Sequence, residues 1–211
     1  MNSKSTGIVT GIVSNLVTVL VDGPVAENEL CYIDVDGTRL MAEVIKVNGK
    51  SAQVQVFEST RGLKNGNKVE FEGKMLEITL GPGLLSSIYD GLQNDLTSME
   101  GVFLKRGEYT DPLDREKLWD FTPLAKPGDK VVAADWLGEV KEGWLPHKIM
   151  VPFSFKGEYS VKSVKPAGSY NVDTAIAVLT GEDGADVEVT MTQKWPVKVA
   201  VKAYREKPRP E

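Results

Sequence analysis

LCYIDVDGTRLMAEVIKVNGKSAQVQVF, from Leu30 to Phe57, decides the fold. Leu30 to Val35 and Arg39 to Val47 are rich in β-branched and other apolar residues, which fit a pleated, half-buried surface. Asp36-Gly37 between them is a two-residue hairpin signal, because such turns require residues that tolerate positive φ. Asn48-Gly49 repeats the signal, and Val54, Val56 and Phe57 then alternate with Gln53, Gln55 and Glu58. Upstream, Ile8-Val9, Ile12-Val13 and the run Leu16 to Val21 read as strands closed by Asp22-Gly23-Pro24. Downstream, Lys68 to Phe71, the Glu72-Gly73 turn and Leu76 to Leu80 complete the set. About six strands with no helix between them predict a small closed β-barrel over residues 1–80.

The pattern changes at Gly81-Pro82-Gly83. Leu84, Leu85, Ile88, Tyr89 and Leu92 fall on one face of a helix. They predict one short helix in a connector spanning 81–111, and a candidate interface. Residues 112–190 return to strands. Trp119, Phe121 and Leu124 lead in, and Val131 to Trp136, Ile149 to Val151, Tyr159 to Val164, Ala175 to Leu179 and Val187 to Met191 are separated by Pro and Gly. Residues 191–211 read as an exit strand and a polar, Pro-rich linker. The chain is therefore expected to be mainly β, with two β-modules joined by the helix-bearing connector.

Composition narrows the function. Hydrophobic content of 41% and charged content of 26% suit a folded globular chain. A net charge of −5 argues against a general nucleic-acid binder. The single cysteine, Cys31, rules out an intramolecular disulfide framework and points to a reducing compartment. With one histidine, His147, soft ligands are too few for a zinc site. The N-terminus lacks a signal-peptide pattern, and no apolar run approaches the ~20 residues that span a bilayer. A cytoplasmic chain, membrane-associated only through partners, is expected.

Gly49-Lys50-Ser51 imitates the end of a phosphate-binding loop, but the first glycine of that pattern would fall at Val44. The context is strand, turn, strand rather than strand, loop, helix, so a hairpin turn accounts for these residues. Asp111, Asp114, Glu116 and Asp120 interleave with Arg115 and Lys117 and read as a charge-balanced surface rather than paired catalytic acids. Trp119, Trp136, Trp144 and Trp195 are assigned to core packing. GDKVVAADWLGEV, HKIM and GEYSVKSV have the spacing of lipoyl and biotinyl carrier domains, which hold a lysine on a hairpin tip; Lys148 occupies a comparable position. Its neighbours His147 and Ile149 match neither carrier's flanks. Fold likeness does not transfer the modification, so Lys148 and His147 are expected to form a partner-contact surface.

Several stretches resemble the catalytic subunit of V-type rotary ATPases. GIVTGIVSNLVTV, MAEVIKVNGKSAQVQVFEST, GPGLLSSIYDGLQ, WDFTP, HKIMVP, PAGSY and TM-Q-WPV stand in the order that family shows. The resemblance covers nearly the whole chain and implies that it precedes the ATPase core. It implies an N-terminal barrel that joins its neighbours in a ring, and a barrel-sandwich-like insertion, or bulge, from about Asp111 to Asp186. No catalytic residue and no cofactor carry over; ATP and Mg belong to the parent subunit. The implied partners are the B subunits and the peripheral stalk, with no nucleic acid and no direct membrane insertion. The family's Gly, Arg-Pro and Arg are replaced here by Ser86, Asn94-Asp95 and Lys198. The implied role is a non-catalytic assembly and regulatory portion of an ion-pumping ATP synthase or ATPase. The alternatives are a carrier protein attached through Lys148 and an unrelated β-rich scaffold.

Overall fold

The computed structural model describes residues 4–85, 87–97, 106–107 and 109–203. Its secondary structure is all β, with no helix among the described residues. Two compact units form. One is built on the chain up to Glu77, the other from Ile78 onward, and Tyr109 and Pro196–Lys198 return to the first.

The first unit contains β1 (Thr6–Val13), β2 (Leu16–Asp22), β3 (Glu29–Val35), β4 (Thr38–Asn48), β5 (Ser51–Val56) and β6 (Lys68–Met75). These close into a barrel in the order β1-β2-β5-β4-β3-β6. Asp36 and Gly37 have φ of 52° and 87°, as their hairpin turn requires. Gly49 has φ of 59° and forms with Lys50 a two-residue turn between paired Asn48 of β4 and Ser51 of β5, so Gly49-Lys50-Ser51 belongs to a hairpin and not to a phosphate loop. Bulges interrupt the ladders at Val9/Gly11, Glu29/Cys31 and Val44/Lys46. An extra residue on one strand bends it and increases its twist, which helps a six-stranded sheet close. Alternate residues fill the lumen, with Val17, Val19, Ile33, Leu40, Val44, Val54 and Phe71 fully buried. Gly7 is needed where β1 crosses β2, because a Cβ there would meet Val19 Cγ1 at 2.6 Å.

The buried carboxylates Glu29 and Glu43 of this unit are satisfied. Glu29 accepts the N–H groups of Ala26 at 3.0 Å and Gly73 at 2.7 Å. Lys198 Nζ donates to Glu43 at 2.9 Å and to Asn28 Oδ1 at 3.0 Å. Burial, with Glu29 and Glu43 nearby, pushes the Cys31 thiol up to about 12, which makes it inert at neutral pH.

The second unit uses β7 (Glu77–Leu80), β8 (Trp119–Pro123), β9 (Lys130–Val131), β10 (Trp136–Glu142), β11 (Leu145–Met150), β12 (Tyr159–Val164), β13 (Gly168–Tyr170), β14 (Ala177–Thr180), β15 (Asp186–Val189) and β16 (Gln193–Pro196). Two four-stranded sheets, β11-β10-β8-β13 and β15-β14-β12-β9, enclose a core of Phe121, Leu137, Val140, Val161, Ile176 and Leu179. Strands β7 and β16 form a separate ribbon. Gly138 lets β10 pass Phe121, whose ring carbon would lie 2.1 Å from an added Cβ.

Three expectations are corrected here. The connector helix over Leu84–Leu92 does not form among its described residues, which lie in turns and irregular backbone, and Tyr89 bridges Asp95 in an antiparallel contact. The run Val131 to Trp136 is not one strand. The Asp135 carboxylate accepts the Val132 N–H at 2.9 Å, and Ala134 adopts φ of 72°, so a turn separates β9 from β10. Of the four tryptophans, only Trp119 is buried in the core. Trp195 meets Phe153 edge-on, while Trp136 and Trp144 are exposed. The Ser86 substitution lies outside the described residues, as does the linker from position 204.

Candidate functional site

The two residues singled out for partner contact, His147 and Lys148, lie side by side on β11 in the second unit. Strand β11 pairs antiparallel with β10 through Glu142↔Leu145, Val140↔His147, Glu139↔Lys148 and Gly138↔Ile149, around the Gly143-Trp144 turn. Successive strand residues point to opposite faces. His147 therefore shares a face with buried Val140 and Ile149, and Lys148 shares the other with Glu139.

On the inner face, Glu142 organises the site. It is buried, and its Oε1 accepts the N–H groups of Gly83 at 2.7 Å and Leu85 at 3.1 Å. Its other oxygen lies 2.6 Å from His147 Nδ1. A carboxylate takes several donors at once, which makes its burial tolerable. The Gly81-Pro82-Gly83 turn is thus held onto the hairpin. Sequence reading missed Glu142. The signal was its phase, two residues after Val140 on the inward side of the strand.

On the outer face, the Lys148 ammonium is ion-paired with Glu139 and sits 4.7 Å from the Trp136 ring centroid. Lys148 is in the body of β11, four residues beyond Trp144, and not at a hairpin tip. The carrier-like placement of this lysine is corrected accordingly. The tip instead carries Trp144, 89% exposed.

The five residues of the expected helix face are not brought together. Leu85 and Ile88 are exposed, while Leu84, Tyr89 and Leu92 are half-buried. Tyr89 donates its hydroxyl to the Pro112 carbonyl at 2.9 Å, and the Leu92 N–H goes to the Asp90 carboxylate at 2.9 Å.

The acidic cluster disperses into local roles. Asp111 pairs with Arg115, Asp114 caps the N–H groups of Glu116 and Lys117, and Asp120 accepts the Ser169 hydroxyl. Among the described residues no group of three or more His, Cys, Asp or Glu is placed to hold a metal ion. Nor, among them, is any helix long and apolar enough to cross a membrane.

Comparison with known proteins assigns both units. Residues 9–73 match the β-barrel domain of the ATP synthase alpha/beta family, and residues 110–198 match the ATP synthase alpha/beta subunit barrel-sandwich domain. The chain is 47% identical, over 99% of its length, to a V-type ATP synthase alpha chain of Treponema denticola. It is 44% identical over 97% of its length to that of Borrelia garinii subsp. bavariensis, and 43% over 98% to that of Borreliella burgdorferi. In each case it spans 36% of the relative's length, in the N-terminal region.

Proposed function

Because this chain belongs to the ATP synthase alpha/beta family and carries the N-terminal region of a V-type alpha chain, we propose that it is the assembly portion of a rotary ATP synthase or ATPase catalytic subunit. One observation carries this reading: both domains match in order, and identity of 43–47% runs through nearly the whole chain. In this reading the parent subunit couples ATP hydrolysis or synthesis to proton or sodium transport, and it supplies the ATP and Mg sites. The residues described above contribute scaffolding and contact surface rather than chemistry. The complex is peripheral to the membrane on its cytoplasmic side.

The barrel's exterior supports an assembly role. Outward-facing positions of β1 and β2 should be polar if they met only water, yet Ile8 and Leu20 pair across the strands and are 50% and 52% exposed. Val13 and Leu16 form a second exposed apolar pair at the turn end. Such a stripe marks a protein contact. In the proposed complex it meets the neighbouring B-subunit barrels of the ring, and the second unit faces the peripheral stalk.

The test is reconstitution with the B subunits. Burying Ile8 and Leu20 is worth roughly 1.5–3 kcal/mol each, so an Ile8→Glu/Leu20→Glu double variant should fold normally by circular dichroism and fail to form rings by native mass spectrometry. Normal ring formation by that variant, or no association of the wild type with B subunits, contradicts the proposal.

A further inference from the structure

Strand β7 pairs with β16 on one side only. On its other edge the Thr79 N–H donates to Gln93 Oε1 at 2.7 Å, and Gln93 Nε2 donates to the Thr79 carbonyl at 2.7 Å. We infer that Gln93 is a gatekeeper: its side-chain amide takes the place of a third strand and closes this edge against a second copy of the chain.

Three observations carry it. The first is mimicry. In an antiparallel ladder, the two residues of a hydrogen-bonded pair exchange both N–H···O bonds. The Gln93 amide makes that same exchange with Thr79. A primary amide carries both a donor and an acceptor, as a peptide group does. One side chain therefore satisfies Thr79 as a neighbouring strand would. Left open, a strand edge is a template for pairing with another chain.

The second is how the amide is aimed. Gln93 adopts φ of 65°, a sparsely populated region for a residue with a Cβ. Such a conformation persists only where the surroundings over-determine it. Here the Gln93 N–H reaches the Asp90 carbonyl at 3.1 Å, and the Asp90 carboxylate accepts the Asn94 N–H at 2.7 Å. Buried Asn94 in turn accepts the Thr110 N–H at 2.9 Å. The loop holds a strained residue in place, and what that residue does there is cap Thr79.

The third identifies the excluded partner. Thr79 offers one donor and one acceptor on the same edge. Two Thr79 residues related by a twofold axis present the same pair to each other and satisfy it with both bonds, which is an isologous contact. In that register Ile78 of one copy lies opposite Leu80 of the other. Both are half-buried and stand on one face of the strand, so pairing would set apolar side chains beside apolar side chains across the new ladder. The edge is self-complementary without any change of sequence, and the Gln93 amide occupies its central position.

The experiment is hydrogen exchange, read by NMR on the whole chain. In the wild type the Thr79 amide should be protected equally at all protein concentrations. Asp90→Ala/Gln93→Ala removes both the cap and the side chain that anchors its loop. In dilute samples its Thr79 exchange should rise about tenfold or more, as two lost hydrogen bonds imply. On concentration that exchange should slow again, with a dimer appearing in sedimentation velocity. Asp90→Ala alone keeps the cap and should show no dependence of Thr79 on concentration. Should the double variant lose the wild-type circular dichroism, Gln93→Glu in the wild-type loop takes its place, because a carboxylate offers the Thr79 carbonyl no donor. Unchanged Thr79 exchange in the variant used overturns the inference. So does faster exchange that ignores concentration, because the edge then takes no second copy. So does protection that survives dilution, because another part of the same chain then covers the edge.

Discussion

Glu142 shows how much one side chain fixes in this fold. Two backbone donors and an imidazole converge on it in a buried setting. Glu142→Ala leaves the Gly83 N–H without its acceptor, and an unsatisfied buried donor costs about 1–3 kcal/mol. The variant should speed hydrogen exchange at Gly83 and Leu85 and destabilise the second unit by about that amount. Glu142→Gln keeps an acceptor oxygen and should leave Gly83 largely protected. Unchanged exchange at Gly83 in the alanine variant would show that the carboxylate does not hold the turn. At this scale the sequence was only partly legible. His147 and Lys148 looked like one surface because they are neighbours, yet strand alternation sends one inward and the other outward. Trp144 looked like core because it is large and apolar, while its place after Gly143 in a two-residue turn puts it in solvent.

Among the elements, the segment from Leu84 to Leu92 is where periodicity misled. Apolar residues at helical spacing suggested a helix, but a nine-residue helix is below the length that persists without strong tertiary support. Local polar chemistry wins instead. Asp90 accepts the N–H of Leu92 at 2.9 Å, the N–H of Asn94 at 2.7 Å and the Asn94 side-chain amide at 2.9 Å. The Leu96 N–H reaches the Ile88 carbonyl at 2.9 Å, the Asp90 N–H reaches that of Asn94 at 3.1 Å, and Gln93 turns with φ of 65°. The result is a tight hairpin loop. Aspartate competes with the helix for backbone donors in this way, which is why it favours turns. Asp90→Ala should unlock the Asn94 amide, raising its exchange rate about tenfold for a loss near 1.4 kcal/mol. Cα chemical shifts over 87–92 should remain non-helical before and after. A helical run of shifts in the wild type would restore the periodicity reading. The barrel hairpins, by contrast, were legible from Asp36-Gly37, which forms its turn as read, and from Gly49, although the second turn is Gly49-Lys50, one residue beyond the Asn48-Gly49 signal, with Asn48 ending β4.

Across the whole molecule, what escaped the sequence was closure. Local hairpins give β3-β4 and β4-β5, but the β2-β5, β3-β6 and β1-β6 pairings join strands far apart in sequence. No turn encodes those; the shared burial of one lumen does. The same holds for the second unit, where two sheets meet over side chains drawn from β8 to β15. Each unit closes its own core, with Phe71 fully buried in the barrel and Leu179 fully buried in the second unit. Large-to-small changes act through the core they empty. Phe71→Ala should cost about 3–5 kcal/mol and Leu179→Ala about 2–5 kcal/mol. Because stability is distributed in cooperative units, Phe71→Ala should raise hydrogen exchange across β1 to β6 and spare β12 and β14. Leu179→Ala should do the reverse. If either variant instead accelerates exchange equally in all these strands, the two units fold as one, and the barrel cannot hold its exposed apolar stripe in place independently of the second unit.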